Sequence, residues 1–371
     1  MNSPGTHPDS GAPYKPVPRS QDPWVKAHDL ALLEFAGPEP ERARAFFTAF
    51  GLQCTDGPQD NLHFAAEAGA PVAVIYRKSG VAGFIGPTFA VKSLQELAQL
   101  AQRAGVPAPH PQDLPGRPPG VILQDPNGVQ VRVAWFENWR ELPPVGPAPL
   151  ANRGPDRSRT NSPVRPARRP SRVLRLGHMV LGTPRWEATA RFYIDTLGLI
   201  PSDVQALSDG RPAVAFMRCD RGDQPADHHT FVVARLPVLD FEHAAFEVPD
   251  LDEVGMGGQI LQEKGFRRAW GVGRHILGSQ IFDYWFGPDG RKFEHFADGD
   301  LFDAARPTGY HAMSTAGLAN WAPPMPQAFL RPRLGWRELG HLLRNLLTNS
   351  GFGLRELRLM ARALRSKSLP D

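Results

Sequence analysis

The sequence predicts an α+β fold of two tandem modules, each assembled from paired strand–helix–strand units, and three echoes between its halves carry that prediction. LALLEFAGPEPERARAFFTAFGL and RLGHMVLGTPRWEATARFYIDTLGL each read as an apolar strand, a proline, a helix bearing an aromatic pair, and Gly-Leu. Further on, FAVKSLQELAQLAQRAGV and FEVPDLDEVGMGGQILQEKGF each run from a strand into a helix. Each half then closes on a turn followed by a strand, DPNGVQVRVAW and GPDGRKFEHF. Chance could supply one of these echoes, but three in the same order mark a duplication.

The elements follow in order along 371 residues, enough chain for more than one core. Residues 1–24 are polar and Pro-rich, without an apolar signal core, and are expected to be a disordered leader. Residues 25–142 form the first module. Residues 143–171 are rich in Pro, Arg, Ser and Gly, cannot bury a core, and read as a linker. Residues 172–305 form the second module. In residues 306–371, Trp336, Leu339, Leu342, Leu343, Leu346 and Leu347 follow helical spacing, as do Leu354, Leu357, Met360 and Leu364, so this extension is expected to hold basic amphipathic helices.

Charge is unevenly placed. Residues 151–175 hold eight Arg against one Asp, and residues 331–371 hold nine Arg or Lys against three acids. Without those segments the formal charge of +4 becomes −9, so the basicity belongs to linker and tail rather than to the folded body. No aromatic interleaving or recognition-helix pattern accompanies the arginines, and no nucleic-acid partner is expected. No apolar run reaches the length of a membrane span. Cys54 and Cys219 make neither a disulfide framework nor a thiolate metal motif, which suits a cytoplasmic protein. A homo-oligomer is expected.

The halves differ where chemistry would sit. Laying Pro38 on Pro184 sets Leu32 opposite His178, and laying the turns together sets Arg132 opposite Glu294. Matching TFAV to AFEV sets Gly86 opposite His243. One copy carries His, His and Glu, and the other carries Leu, Gly and Arg. Two imidazoles and one carboxylate on one face of a metal are the donor set of non-heme Fe(II) enzymes, with the remaining positions open to substrate and dioxygen. Strand parity puts His178 on a face with Leu176 and Val180, His243 with Phe241 and Ala245, and Glu294 with Lys292 and Phe296. The first module is therefore expected to be metal-free.

From LGHMVLG through ADHHTFVV and FEHAAFEVPDLDEVG to WGVGRHILGSQIFDYWFGPDGRKFEHFADGD, the second half resembles the type I extradiol ring-cleaving dioxygenases of the vicinal oxygen chelate superfamily, the catechol 2,3-dioxygenase and dihydroxybiphenyl dioxygenase group. The first half resembles them only as a degenerate copy. The resemblance implies two vicinal oxygen chelate modules of paired βαβββ units, metal ligands at His178, His243 and Glu294, and catalytic groups at His229, His275 and Tyr284. It implies Fe(II), with Mn(II) as the other ion this donor set accepts, and a catecholic substrate cleaved with O2. Tyr284 and His275 would hydrogen-bond the substrate oxygens, and His229 would carry the proton.

Strand alternation sends His228 to the face opposite His229, as a solvent-facing or packing residue whose loss is expected to be nearly silent. His295 likewise points away from Glu294. Trp270, Trp285 and Phe296 are candidate pocket walls. Linker and final forty residues are expected to be dispensable for chemistry. Two rival readings share the scaffold. A lyase or isomerase of the glyoxalase kind would need a further protein carboxylate on the metal, where the first half offers Leu32 and Arg132. A metal-free binding protein of the bleomycin-resistance kind leaves the three ligands unexplained.

Overall fold

The computed structural model describes residues 5–109, 118–146, 151–155, 157–330, 340 and 352–366. The apolar strand β1 (Asp29–Gly37) leads into helix α1 (Pro40–Phe50), where proline at the first helical position gives up an N–H that would have had no partner. Gly51 ends α1 in the left-handed region, at φ 112°. Strands β2 (Gln53–Asp56), β3 (Leu62–Ala65), β4 (Val74–Lys78) and β5 (Gly83–Val91) follow. Helix α2 (Leu94–Ala104) starts where the Ser93 hydroxyl accepts the Glu96 N–H. Strands β6 (Gly120–Gln124) and β7 (Gln130–Trp135) complete a seven-stranded sheet in the order β2-β3-β4-β1-β5-β7-β6.

The second module repeats this. Strand β8 (Arg175–Thr183) leads into helix α3 (Trp186–Leu197), closed by left-handed Gly198 at φ 68°. Next come β9 (Ile200–Ala206), β10 (Pro212–Arg218), β11 (Ala226–Asp227), β12 (Phe231–Arg235) and β13 (Asp240–Glu247). Helix α4 (Leu251–Glu263) is capped by Asp250, which accepts the Glu253 N–H at 2.9 Å. Strands β14 (Arg267–His275), β15 (Ile281–Phe286), β16 (Lys292–Ala297) and β17 (Leu301–Phe302) end the module. The extension adds β18 (Gly309–Ala312) and β19 (Ala319–Trp321). A ten-stranded sheet results, ordered β18-β9-β10-β12-β8-β13-β16-β15-β14-β19, with a strand of the extension on each edge.

The two sheets close over one core. Phe35 of β1 meets Phe241 and Phe293 with ring centroids 5.0 and 5.7 Å apart, and Phe47 of α1 meets Phe293 at 4.9 Å. His295, turned away from Glu294, stacks on Phe50 at 3.8 Å and its Nε2 donates to the Phe50 carbonyl at 2.7 Å.

Both Pro-rich segments lie against the body, and the leader differs from expectation in doing so. The leader is laid along the second module rather than left disordered: Tyr14 and Val17 are buried, Lys15 N–H donates to the Gly210 carbonyl at 2.9 Å, and Val17 N–H donates to the Tyr310 hydroxyl at 2.9 Å. Its few apolar side chains, and prolines already extended, let the strand-like backbone bond at small entropic cost. The linker arginines pair with the acidic body, Arg168 with Glu263 at 2.7 Å and Arg169 with Glu253 at 2.5 Å. In the extension, Leu354–Ala363 is a helix as expected, while the apolar series from Trp336 to Leu347 lies outside the described residues. No helix among the described residues is long and apolar enough to cross a membrane.

A continuous core predicts joint unfolding. Phe47→Ala should cost about 3–5 kcal/mol and shift one cooperative denaturant transition, read by both tryptophan fluorescence and circular dichroism. Two separable transitions would show that the modules are stable independently.

Candidate metal centre

Sheet register assembles the three donors. Ala245 of β13 pairs with His178 on β8 and with Glu294 on β16, so all three stand in one row across adjacent strands. His243, two residues along β13 from Ala245, shares the face. The candidate ligand atoms of His178, His243 and Glu294 lie within 4.8 Å of one another, and all three residues are buried. The first module has the same layout: Thr88 of β5 pairs with Leu32 on β1 and Arg132 on β7, and Gly86 stands two residues before it. Leu32, Gly86 and Arg132 thus occupy the counterparts of His178, His243 and Glu294, as the sequence comparison expects. A side chain at Gly86 would collide with the Gln130 carbonyl oxygen, so that copy has no room for a histidine.

Glu294 Oε2 lies 3.4 Å from Nε2 of His178 and 3.4 Å from Nε2 of His243, and Oε1 lies 3.8 Å from Nε2 of His275. Donors each about 2.1 Å from one metal stand roughly 3.0–3.4 Å apart, so the spacing suits a shared ion better than hydrogen bonds. Glu294 is fully buried, and among the described residues neither of its oxygens has a hydrogen-bond partner. A carboxylate stranded in this way is costly unless a cation joins it. The residues therefore fit a divalent metal. Burial alone would raise the Glu294 pKa, but the facing imidazoles of His178, His243 and His275 outweigh it and hold the carboxylate well below its usual range. Burial lowers the His178 pKa, against the pull of Glu294, and a neutral imidazole is the form that ligates.

A β-bulge changes the parity expected on β13. Pairing with β8 shifts between Phe241 and His243, so Phe241 packs into the module junction while adjacent Glu242 and His243 both reach the cavity. Glu242 bonds His243 Nδ1 and Lys292 Nζ, and Lys292 also donates to the Phe329 carbonyl at 2.9 Å. A carboxylate on the far nitrogen of a ligating histidine fixes its orientation. Nothing in the sequence pattern announced Glu242, because a bulge is decided by pairing.

His275 and Tyr284 face each other across β14 and β15, with Nε2 and Oη 2.9 Å apart. The Leu318 carbonyl, 2.7 Å from His275 Nδ1, can only accept, so the proton sits on Nδ1 and Nε2 accepts from the tyrosine. Burial and the nearby Glu294 raise the Tyr284 pKa well above its ordinary value, keeping the phenol a donor. The His229 ring lies 4.1 Å from that of His178, and burial, reinforced by His178 and His228, takes its pKa well below the ordinary value.

His228 is not where strand alternation put it. It and His229 sit in the bend between β11 and β12, where alternation does not apply. Its ring is buried, 2.8 Å from His229 Nδ1 and 2.6 Å from Asp203 Oδ2.

His178, His229, Glu242, His243, His275 and Tyr284 line a cavity of about 250 Å³ walled also by Val180, Phe216, Val232 and Trp270, with Leu318, Phe329 and Leu364 contributed by the extension. Trp285 and Phe296 are buried beside the site and do not line it. The extension is thus part of the wall, where its strands β18 and β19 pair with edges β9 and β14.

Comparison with known proteins agrees with this architecture. Residues 175–295 match the family described as the glyoxalase/bleomycin resistance protein/dioxygenase superfamily. Metapyrocatechase 2 of Cupriavidus necator is 34% identical over 218 residues, 57% of this chain and 63% of its own length. An iron-dependent extradiol dioxygenase of Rhodococcus jostii (strain RHA1) is 31% identical over 138 residues, 32% of this chain and 44% of its own. The chain thus spans less than two thirds of the length of these curated relatives. Among solved structures, the Mn(II)-bound glyoxalase of Novosphingobium aromaticivorans aligns at a TM-score of 0.66 and 20% identity, covering 84% of this chain and 96% of that one. A halotolerant catechol dioxygenase aligns at 0.61 and 18% identity, covering 82% and 98%. At such identities the likeness is one of fold: two sheet-rich α+β modules of the vicinal oxygen chelate type.

Metal analysis should find one divalent ion per chain, and alanine at His178, His243 or Glu294 should abolish retention. Glu242→Gln should weaken metal affinity by about 10–100-fold, measured by competition with a chelator. Two ions per chain would contradict the reading of the first module as metal-free. Truncation after residue 330 removes Leu364 from the cavity wall and should raise KM several-fold while leaving metal content unchanged.

Proposed function

We propose that this protein is an extradiol dioxygenase that uses Fe(II) and O2 to open the ring of a catechol or substituted catechol. The observation that carries the proposal is the buried His178, His243 and Glu294 donor set, with His229, His275 and Tyr284 gathered on the same cavity. The names of the curated relatives, metapyrocatechase and extradiol dioxygenase, support it. His178, His243 and Glu294 would hold the ion, and the chemistry it supplies is chelation of both catechol oxygens and electron transfer towards O2.

The chain supplies the rest. Tyr284, kept protonated, has one O–H, which goes to His275 Nε2 before substrate arrives and turns to a substrate oxygen on binding; such bonds to an oxyanion are about twice as strong as neutral ones. His229, uncharged because it is buried, has a lone pair to accept the proton a catechol gives up on chelation and to return it later. Trp270, Phe216 and Phe329 exclude water and offer apolar walls to an aromatic ring. A lyase or isomerase reading lacks its fourth ligand: among the described residues the donor group holds three members, and Leu32 and Arg132 occupy the counterpart positions. The same donors accept Mn(II).

The test is anaerobic reconstitution with Fe(II), addition of a panel of catechols, and exposure to oxygen. A yellow ring-opened product, with two oxygen atoms of O2 incorporated, is expected from at least one of them. His229→Gln should keep its iron yet lower kcat by about 10²–10⁴-fold. No product from any catechol by folded, iron-loaded protein would refute the proposal.

A further inference from the structure

We infer that Asp203 and His228 are positioning residues for His229: bonded in series, they hold the single proton of the His229 imidazole on Nδ1 and leave its Nε2 as a bare lone pair at the cavity. The tautomer bears on catalysis only through the acid–base role proposed above.

The direction of the series follows from what each atom can do. Asp203 on β9 accepts at both oxygens, Oδ2 from His228 Nε2 at 2.6 Å and Oδ1 from His311 Nε2 at 2.9 Å. Burial pushes the Asp203 carboxyl up, but the bonds from His228 and His311 more than offset it and bring it down to about 2. An ionised carboxylate can only accept, so His228 carries its proton on Nε2. A neutral imidazole protonated there has a bare Nδ1, which must accept. The atom facing it, 2.8 Å away, is His229 Nδ1, which must therefore donate. One proton per ring then leaves His229 Nε2 unprotonated.

Packing keeps the rings in place. Phe216 lies 5.7 Å from the His228 ring and 5.3 Å from that of His229, and Phe302 lies 5.4 Å from His228 on another side. The His228 N–H donates to the Asp300 carbonyl at 2.8 Å, which ties down the bend. His311 comes from the extension, where β18 pairs with β9 in register, Gly309 opposite Asp203. In a Ser-His-Asp triad, replacing the aspartate by asparagine leaves the geometry intact and costs about 10⁴-fold in kcat, because the histidine takes the wrong tautomer. Asp203 stands in the same relation to His229, one imidazole further away.

The test reads the tautomers directly, without turnover. Long-range proton–nitrogen NMR of metal-free protein labelled with ¹⁵N-histidine, at mildly alkaline pH, should show His229 protonated on Nδ1 and bare on Nε2, with His228 the reverse. In Asp203→Asn the amide can donate to His228 Nε2, and both rings should invert. Reconstituted Asp203→Asn should retain its iron and lose about 10²–10⁴-fold in kcat, with KM changed no more than a few-fold. Should that variant fail to fold, His228→Leu removes the acceptor, and His229 should then populate both tautomers. A wild-type His229 protonated on Nε2, or a His228 protonated on both nitrogens, overturns the inference, and needs no variant. Inverted tautomers with unchanged kcat overturn it as well. If wild-type protein opens no catechol, the proposed function fails while the spectrum still decides the tautomer.

Discussion

The carboxylate of Glu294 is buried completely within the second sheet, and much of the surrounding structure answers the cost of putting it there. An uncompensated charge in such a place is costly by far more than the margin by which a domain is stable. The nearest groups are imidazoles, His178, His243 and His275, and these do not satisfy its oxygens at hydrogen-bond distance. The arrangement suits a cation shared among the donors. Each histidine is in turn held from behind where the structure provides a partner: Glu242 on His243, the Leu318 carbonyl on His275, and His228 on His229.

The first module shows the same scaffold without that charge. Row for row, Leu32 and Thr88 stand where His178 and Ala245 stand, and Arg132 replaces Glu294. Gly86 cannot take a side chain because the backbone of Gln130 lies in its path. What this copy contributes is apolar surface: Phe35, Phe46, Phe47 and Phe50 close the back of the ten-stranded sheet. The duplication has divided its labour between a site and a support.

The extension has a larger part than its composition implies. Its two short strands cover both edges of the ten-stranded sheet, which would otherwise present unpaired backbone. Through them it delivers His311 to Asp203 and the Leu318 carbonyl to His275, so groups beyond the second module orient residues within it. The leader does similar work on the outer side, with Tyr14 stacked near Tyr310 at 6.1 Å.

The repeat, the α+β class and the grouping of His178, His243 and Glu294 were legible in the chain, since each depends on local periodicity, turn residues and comparison of one half with the other. His229, His275 and Tyr284 were legible only through resemblance, because no spacing rule brings together a residue of a bend, one at a strand end and one within a strand. Several features were not legible at all. The bulge that turns Glu242 inward arises from strand pairing, and pairing is non-local. His228 was misplaced because alternation was applied to a bend, and only the fold reveals that β11 ends at Asp227. Asp203 and His311 are 108 residues apart, and their meeting on either side of one hydrogen bond follows from a parallel strand pair that no local pattern encodes. Sequence by itself determined which side chains could bind a metal; tertiary structure decided which nitrogen of each histidine faces it, because a proton's position depends on what lies behind the ring.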